Sequence, residues 1–245
     1  MKPCLLVPIY DHGATIRGVV ESLAPCHLPL LIENDGSGPA TVAALDALAR
    51  QYDWVEVAHQ PVNRGKGHAL KRGYRRAAAR GFSHVVQIDA DGQHDASDVK
   101  RFLDVMQAHP QTLVLGLPVF DASAPRSRLW GRRLSVWLVA MLTLSRRVRD
   151  PLCGFRGVPL GPVLPLLDRV AMGDRMDFDP ELAVRLVWAG VPVAHVSTRV
   201  QYLPGGVSHF DVVWDDLRLA WLYVRLGAGM LVRAPHLLGL RRARH

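Results

Sequence analysis

The chain has 245 residues, of which 49% are hydrophobic and 21% charged, and its formal net charge is +8. That length holds one large or two small domains, and the balance of apolar and charged residues excludes a disordered or fibrous chain. The excess of positive charge predicts a polyanionic partner, and three scattered cysteines (Cys4, Cys26 and Cys153) exclude a disulfide framework or a zinc pattern, pointing to a reducing cytosol.

Residues 4–9 are an apolar run that predicts a first strand, with Pro8-Ile9-Tyr10-Asp11 as the loop at its end. Pro3 and Pro8 interrupt this early apolar run, so it is not read as a signal peptide. Residues 14–23 follow a helical pattern, residues 28–32 a second strand, and Glu33-Asn34-Asp35-Gly36-Ser37-Gly38 is a turn-forming cluster at its end. A helix over 39–52 and a strand over 54–59 complete a β-α-β-α-β run, which argues for a parallel sheet with crossover helices. Asn63-Arg64-Gly65-Lys66-Gly67-His68-Ala69 then leads into a helix over 70–80. Its glycines would let backbone approach a ligand, and Lys66, Lys71, Arg72, Arg75 and Arg76 make the region cationic; a plain solvated basic helix reads equally well.

Val85-Val86-Gln87-Ile88 predicts a buried strand that runs straight into Asp89-Ala90-Asp91-Gly92-Gln93-His94. Asp89 and Asp91 at a strand end can both turn toward one hard cation, and Gln93 can add a neutral oxygen. A solvated Asp-x-Asp-Gly turn is the competing reading. An EF-hand is excluded, because the twelfth position counted from Asp89 is Lys100. An amphipathic helix over 96–108 and a strand over 112–117 follow. Residues 124–133 are basic, and the apolar segment 135–144 with Trp137 is too short to span a bilayer, so it either lies at a membrane interface or packs in the core.

Asp150-Pro151-Leu152-Cys153-Gly154-Phe155-Arg156-Gly157 predicts a compact turn, in which Arg156 holds a phosphate or pairs with an acidic neighbour. In Arg175-Met176-Asp177-Phe178-Asp179-Pro180-Glu181-Leu182, Asp179 and Pro180 also have the pattern of a helix cap followed by a first-turn proline. Residues 191–200 predict a last strand and 205–209 a loop. A long helix over 211–233 follows, ended or kinked by Pro235. Its charged residues Asp211, Asp215, Arg218 and Arg225 fall on one face, while Trp214, Leu217, Trp221, Leu222, Val224 and Leu231 cover the rest. With the basic tail 241–244 this suits a helix lying in the plane of an anionic membrane; packing on the catalytic domain or on a second subunit is the alternative.

Taken together and in order, Pro8-x-Tyr10, Asn34-Asp35-Gly36-Ser37, Asn63-x-Gly65-x-Gly67-x-Ala69, Asp89-x-Asp91-Gly92-Gln93-His94, Cys153-Gly154-Phe155-Arg156 and Phe178-Asp179-x-Glu181-Leu182 resemble the family-two glycosyltransferases. The similarity points to the branch of dolichyl- and polyprenyl-phosphate sugar synthases. The loop 205–210 is similar to that of the member found with bacterial aryl-polyene genes. The resemblance implies a GT-A fold, an α/β architecture with a mostly parallel sheet flanked by helices. It covers roughly residues 3–215, and the expected organisation is a catalytic domain over 1–209 followed by a C-terminal amphipathic, basic helix over 210–245.

The resemblance also implies a nucleotide-diphospho-sugar donor, Mg²⁺ or Mn²⁺, and inversion at the anomeric carbon. Pro8, Tyr10, Asp11 and Asp35 would line the nucleotide pocket, with Lys66, Asp89, Ala90 and Asp91 contacting the nucleotide sugar. Asp89, Asp91 and Gln93 would hold the metal. Asp179 and Glu181 would stand on the acceptor side, Asp179 as general base for a hydroxyl acceptor, with Asp91 completing the catalytic set. Arg126, Arg132, Arg133 and Arg156 would meet an acceptor or donor phosphate. The expected acceptor is lipid-linked or hydrophobic, and the expected place is the inner face of the cell membrane, with homo-oligomerisation open. Two departures, Asp11-His12 for Asn-Glu and Asn34-Asp35 for a pair of aspartates, leave the base and the sugar open. Charge alone would also suit a nucleic-acid-binding protein, but no zinc-finger or RNA-recognition signature accompanies it. A sugar-phosphate nucleotidyltransferase would carry a Gly-rich loop where Pro8-Ile9-Tyr10 stands.

Overall fold

The computed structural model describes residues 1–120, 126–201 and 212–242, with side chains over 1–120, 130–201 and 214–235. The seven-stranded sheet has the order β3-β2-β1-β4-β6-β5-β7. Its first half is built from β1 (Pro3–Ile9), β2 (Leu30–Asp35), β3 (Val55–Gln60) and β4 (His84–Gln87), all parallel. Helices α1 (Ile16–Leu23), α2 (Pro39–Gln51) and α3 (Lys66–Ala79) make the crossovers. The side chains of β1 show the period of two: Cys4 and Leu6 face one core, while Leu5, Val7 and Ile9 face the other. The second core holds α1, α2 and α4 (Val99–Ala108); the first holds α3, α6 (Leu160–Arg169) and α7 (Phe178–Trp188).

The second half of the sheet departs from simple alternation. β6 (Arg156–Pro159) runs antiparallel between β4 and β5 (Leu113–Phe120), and β7 (Val193–Val200) pairs parallel with β5. The turn expected over 150–157 therefore ends in a strand. It is short and mixed in composition, without the apolar run that betrays β4. The α3 helix starts at Lys66, four residues before its expected start, so the Gly-rich stretch is helix entry and first turn rather than loop. Gly65 caps it at φ 108°, a conformation that favours glycine.

The apolar segment over 135–144 lies mostly in α5 (Arg126–Leu142), and α8 (Val212–Arg242) continues through Pro235 rather than ending before it. The α8 helix packs on α5 and α7, and its Leu219, Leu222 and Leu226 join the core. Part of its charged face turns inward, although Asp216 and Arg233 remain exposed. Asp215 is buried and paired with Arg218 at 3.0 Å, and Arg225 reaches inward, whereas Trp214, Leu217, Trp221 and Val224 are exposed. No helix among the described residues is long and apolar enough to cross a membrane. The loop over 205–210 lies outside the described residues.

Candidate active site

The C-terminal ends of parallel strands are where open α/β sheets hold ligands, and most candidate residues converge there. Asp89 and Asp91 follow β4. Lys66, at the first turn of α3, places its Nζ 2.6 Å from Asp89 Oδ1 and 3.1 Å from Asp179 Oδ2. One ammonium thus joins the strand-end carboxylate to the α7 carboxylate. Burial would raise Asp89, but Lys66, His94 and Arg156 outweigh it and hold that carboxyl below the usual carboxylate value. Asp91 goes the other way, raised by burial and by the neighbouring charge of Asp89. Burial would lower the Lys66 ammonium, but Asp179 and Asp89 together hold it above its ordinary value.

Asp179 lies against Lys66 in the candidate site rather than at the helix cap. Asp177 occupies the cap position, and Asp179 is 5% exposed. One of its oxygens accepts from Gln87 Nε2 at 3.3 Å, and Gln87 Oε1 accepts from the Tyr74 hydroxyl at 2.5 Å. Gln87 and Tyr74 escaped the sequence reading. A lone amide in the apolar run Val85-Val86-Gln87-Ile88 is the signal that could have found Gln87, because a buried amide needs polar partners.

The loop before β6 backs Asp89. A side chain on Gly154 would put its Cβ 1.9 Å from Asp89 Oδ2, so only glycine leaves room for the carboxylate. Asp150 Oδ1 accepts from the amides of Leu152 and Cys153 at 2.9 Å each, and its other oxygen pairs with Arg132 at 2.6 Å.

Two expected contacts are corrected. Arg156 is fully buried. Its Nε donates to Cys153 O at 2.8 Å, Nη1 to Asp179 O at 2.7 Å and Nη2 to Pro151 O at 2.6 Å. It stitches the 150s loop to α7 and pairs with Asp179 at 3.5 Å, the acidic-neighbour alternative of the sequence reading, and is buried away from the surface. Glu181 is also fully buried; it accepts from Gly173 N at 3.0 Å, Arg185 Nε at 2.8 Å and Arg225 Nη2 at 2.6 Å. It is a buried hub whose oxygens are taken by these three partners. Their partners are partly local, Pro151 and Cys153 for Arg156 and Arg185 for Glu181, and partly distant, Asp179 for the one and Arg225 for the other, and only the distant ones lay beyond reach of local spacing.

Asp35 accepts from Arg64 N at 3.1 Å and Gly65 N at 2.6 Å, which fixes the entry to α3. His68 N donates to Asp174 O at 2.9 Å, so several amides expected to cradle an anion are already engaged. The cationic face of α3 is similarly compensated: Lys71 pairs with Asp174, Arg72 and Arg76 with Glu33, and Arg75 with Asp168. Pro8 is buried in β1 beside β2, and Asp11 Oδ1 accepts from Gly38 N at 2.7 Å, tying the two strand ends together. Tyr10 is half-buried next to them, and Ala90 is buried, its carbonyl accepting from Thr15 Oγ1 at 2.7 Å. Gln93 lines a cavity of about 470 Å³ with Asp89, His94, Thr15 and Arg199. Arg132 and Arg133 line a separate shallow cavity of about 330 Å³ with Phe120 and Val136. Arg126 opens α5, and its side chain lies outside the described set.

Whether a divalent cation fits is decided by the donor set. Asp89, Asp91 and Gln93 offer hard oxygens, and the charge of Asp89 already disfavours ionisation of Asp91, a conflict that a cation relieves. The donor chemistry is of the hard-oxygen kind that suits Mg²⁺ or Mn²⁺; among the described residues no group of three or more His, Cys, Asp or Glu side chains is gathered to hold a metal, so the remaining positions would fall to water or substrate oxygens.

The comparisons with known proteins agree with this arrangement. Residues 4–157 match the family model described as glycosyl transferase family 2. A polyprenol monophosphomannose synthase of Mycolicibacterium smegmatis is 31% identical over 84% of this chain and 80% of its own length. An undecaprenyl-phosphate mannosyltransferase of Micrococcus luteus is 31% identical over 64% of this chain and 65% of its own. Among solved structures, glucosyl-3-phosphoglycerate synthase from Mycobacterium tuberculosis with Mn²⁺, UDP-glucose and glycerol 3-phosphate superposes with a TM-score of 0.64 at 20% identity, covering 95% of this chain and 79% of that one. That likeness establishes the GT-A-like fold. The sheet order, the paired aspartates at the β4 end and the family match lead to one assignment: the chain belongs to glycosyl transferase family 2.

Proposed function

We propose that this chain moves a sugar from a nucleotide-diphospho-sugar to a lipid-linked acceptor of the polyprenyl-phosphate kind, working at an anionic membrane surface. The observation that carries the reading is the Lys66 ammonium held between Asp89 and Asp179, which joins a donor-side carboxylate to an acceptor-side one. The polyprenyl-phosphate relatives support the acceptor class.

Glycosyl transfer builds negative charge on the departing diphosphate. Asp89, Asp91 and Gln93 would hold Mg²⁺ or Mn²⁺, which supplies Lewis-acid neutralisation of that charge when bound. Lys66 adds a fixed positive charge at the same place. Asp179 already takes contacts from Lys66, Gln87 and Arg156, so its oxygens are engaged and its part is orientation. That favours an acceptor phosphate, which arrives ionised and needs no base, over a hydroxyl. Arg133, exposed on α5 and stacked on Trp130, would meet it, with Arg132 fixed nearby on Asp150. The exposed rows on α5 and α8 support docking to the membrane that carries such a lipid.

The test is a panel of UDP- and GDP-sugars with Mg²⁺ or Mn²⁺, presented with polyprenyl phosphate or with the free polyprenol in vesicles. Transfer to the phosphate and not to the alcohol is the expected result. Transfer to the alcohol alone would return Asp179 to the general-base role. No transfer to either from any donor would overturn the lipid-acceptor reading.

A further inference from the structure

The Gly173 loop packs against the backbone on either side of Lys66. A Cβ on Gly65 would lie 2.5 Å from Asp174 O, and one on Gly67 would lie 2.9 Å from Gly173 O, so the loop backbone touches the chain on both sides of Lys66. Lys71 Nζ donates to Met172 O at 3.0 Å and Gly173 O at 3.1 Å, and His68 N donates to Asp174 O at 2.9 Å. The loop is fastened from behind by Glu181, which takes the Gly173 amide on Oε2 at 3.0 Å. The same Oε2 is 2.6 Å from Arg225 Nη2, while Oε1 belongs to Arg185.

Glu181 is fully buried, and a buried carboxylate holds its geometry only while its charge and lone pairs are matched. Arg185 reaches it from the same helix, one turn on. Arg225 comes from α8, beyond the residues matched by the family model, and shares with the Gly173 amide the oxygen that faces the loop. Glu181 also lies two residues after Asp179, so the turn of α7 that presents Asp179 carries the same anchor.

We infer that Arg225 is a positioning residue for the active site: through Glu181 it sets the Gly173 loop and, with it, the placement of Lys66 between Asp89 and Asp179. The inference rests on the transferase reading only for its activity arm. It puts a residue of the C-terminal helix in mechanical contact with the chemistry without touching substrate.

Two measurements test it on the full-length protein. The first is hydrogen exchange with no substrate present. Arg225→Gln should raise exchange at Gly173 and His68 at least about tenfold over the wild type, with the β1 and β4 amides unchanged, and Arg225→Lys should restore most of the protection. The second is transfer kinetics with a donor accepted by the wild type: kcat should fall about tenfold or more while donor KM moves less than about threefold, again with rescue by Lys. Arg218→Gln, which breaks a different inward pair of α8 with Asp215, is the control for simple loosening of that helix. Unchanged exchange at Gly173 in Arg225→Gln overturns the inference, as does a uniform rise across the sheet. So does an equal local rise in Arg218→Gln. If the wild type transfers no sugar, the transferase reading fails and the exchange result still decides the placement.

Discussion

Asp91 and Gly154 make the sharpest demands on single residues. Asp91→Asn keeps the shape but removes a hard anionic oxygen, and kcat/KM should fall by roughly a hundredfold or more, with divalent titration showing weaker metal dependence and the thermal midpoint held. Gly154→Ala introduces a methyl into the space of the Asp89 carboxylate, which must move; an ångström of displacement costs about a hundredfold in rate, measurable against a folded control by circular dichroism. Arg156→Met should act on stability instead. It leaves the carbonyls of Pro151, Cys153 and Asp179 unmet in the interior, each costing about 1–3 kcal/mol, a loss visible in denaturant unfolding. The strand-end aspartates were legible in the sequence because their spacing and the apolar run before them carry their own meaning. Arg156, Glu181 and Asp179 were legible as chemistry but not as roles. Their partners lie on α7, α8, the 150s loop and α3, and no local pattern announces which polar group ends up beneath a site and which inside it.

At the level of elements, the parallel strands and their crossover helices were readable from turn clusters and apolar runs. The antiparallel β6 was not, since four mixed residues beside two glycines show no period. The α8 helix was readable as a helix, yet its orientation was not: the one face that carries Asp215, Arg218 and Arg225 invites the assumption that charge meets water. Buried partners on α7 and within α8 itself reverse it in part. The result is an outer surface that mixes exposed charge with exposed indoles: Trp130 and Trp137 on α5 are 70% and 58% exposed, and Trp214 and Trp221 on α8 are 61% and 67% exposed. Indole rings of this kind settle at a bilayer interface. Trp137→Ser combined with Trp221→Ser should cut partitioning onto anionic vesicles by about tenfold or more, with thermal stability held because both rings already face solvent. Undiminished vesicle binding in a flotation assay would assign these faces to another role.

For the molecule as a whole, acid sensitivity should show a histidine signature. Burial, and then Arg149, hold His195 below its ordinary value, and its Nε2 accepts from Arg149 N at 3.3 Å, which requires the neutral ring. The folded state therefore binds fewer protons than the unfolded one. The contribution is present above the unfolded value, near 6.5, and is lost as pH falls from there through the folded value. His195→Gln keeps an acceptor without the titration, so its melting temperature should decline less steeply than wild type between about pH 7 and pH 5.

The position of β6 has a consequence for how the chain is made. The strands β1 to β4 follow one another along the sequence and pair among themselves, so they can assemble as they leave the ribosome. The far edge of β4 stays open until Arg156–Pro159 emerges, and β5 has no place in the sheet until that strand slots in between. The strand-end aspartates are then built early, and the Asp179 side is added last, so an arrested chain ending before β6 would hold half of the candidate site and a bare strand edge. Pulse-labelled exchange during refolding should show the amides of β1 protected before those of β5 and β6. Simultaneous protection would mean that the sheet closes in one step.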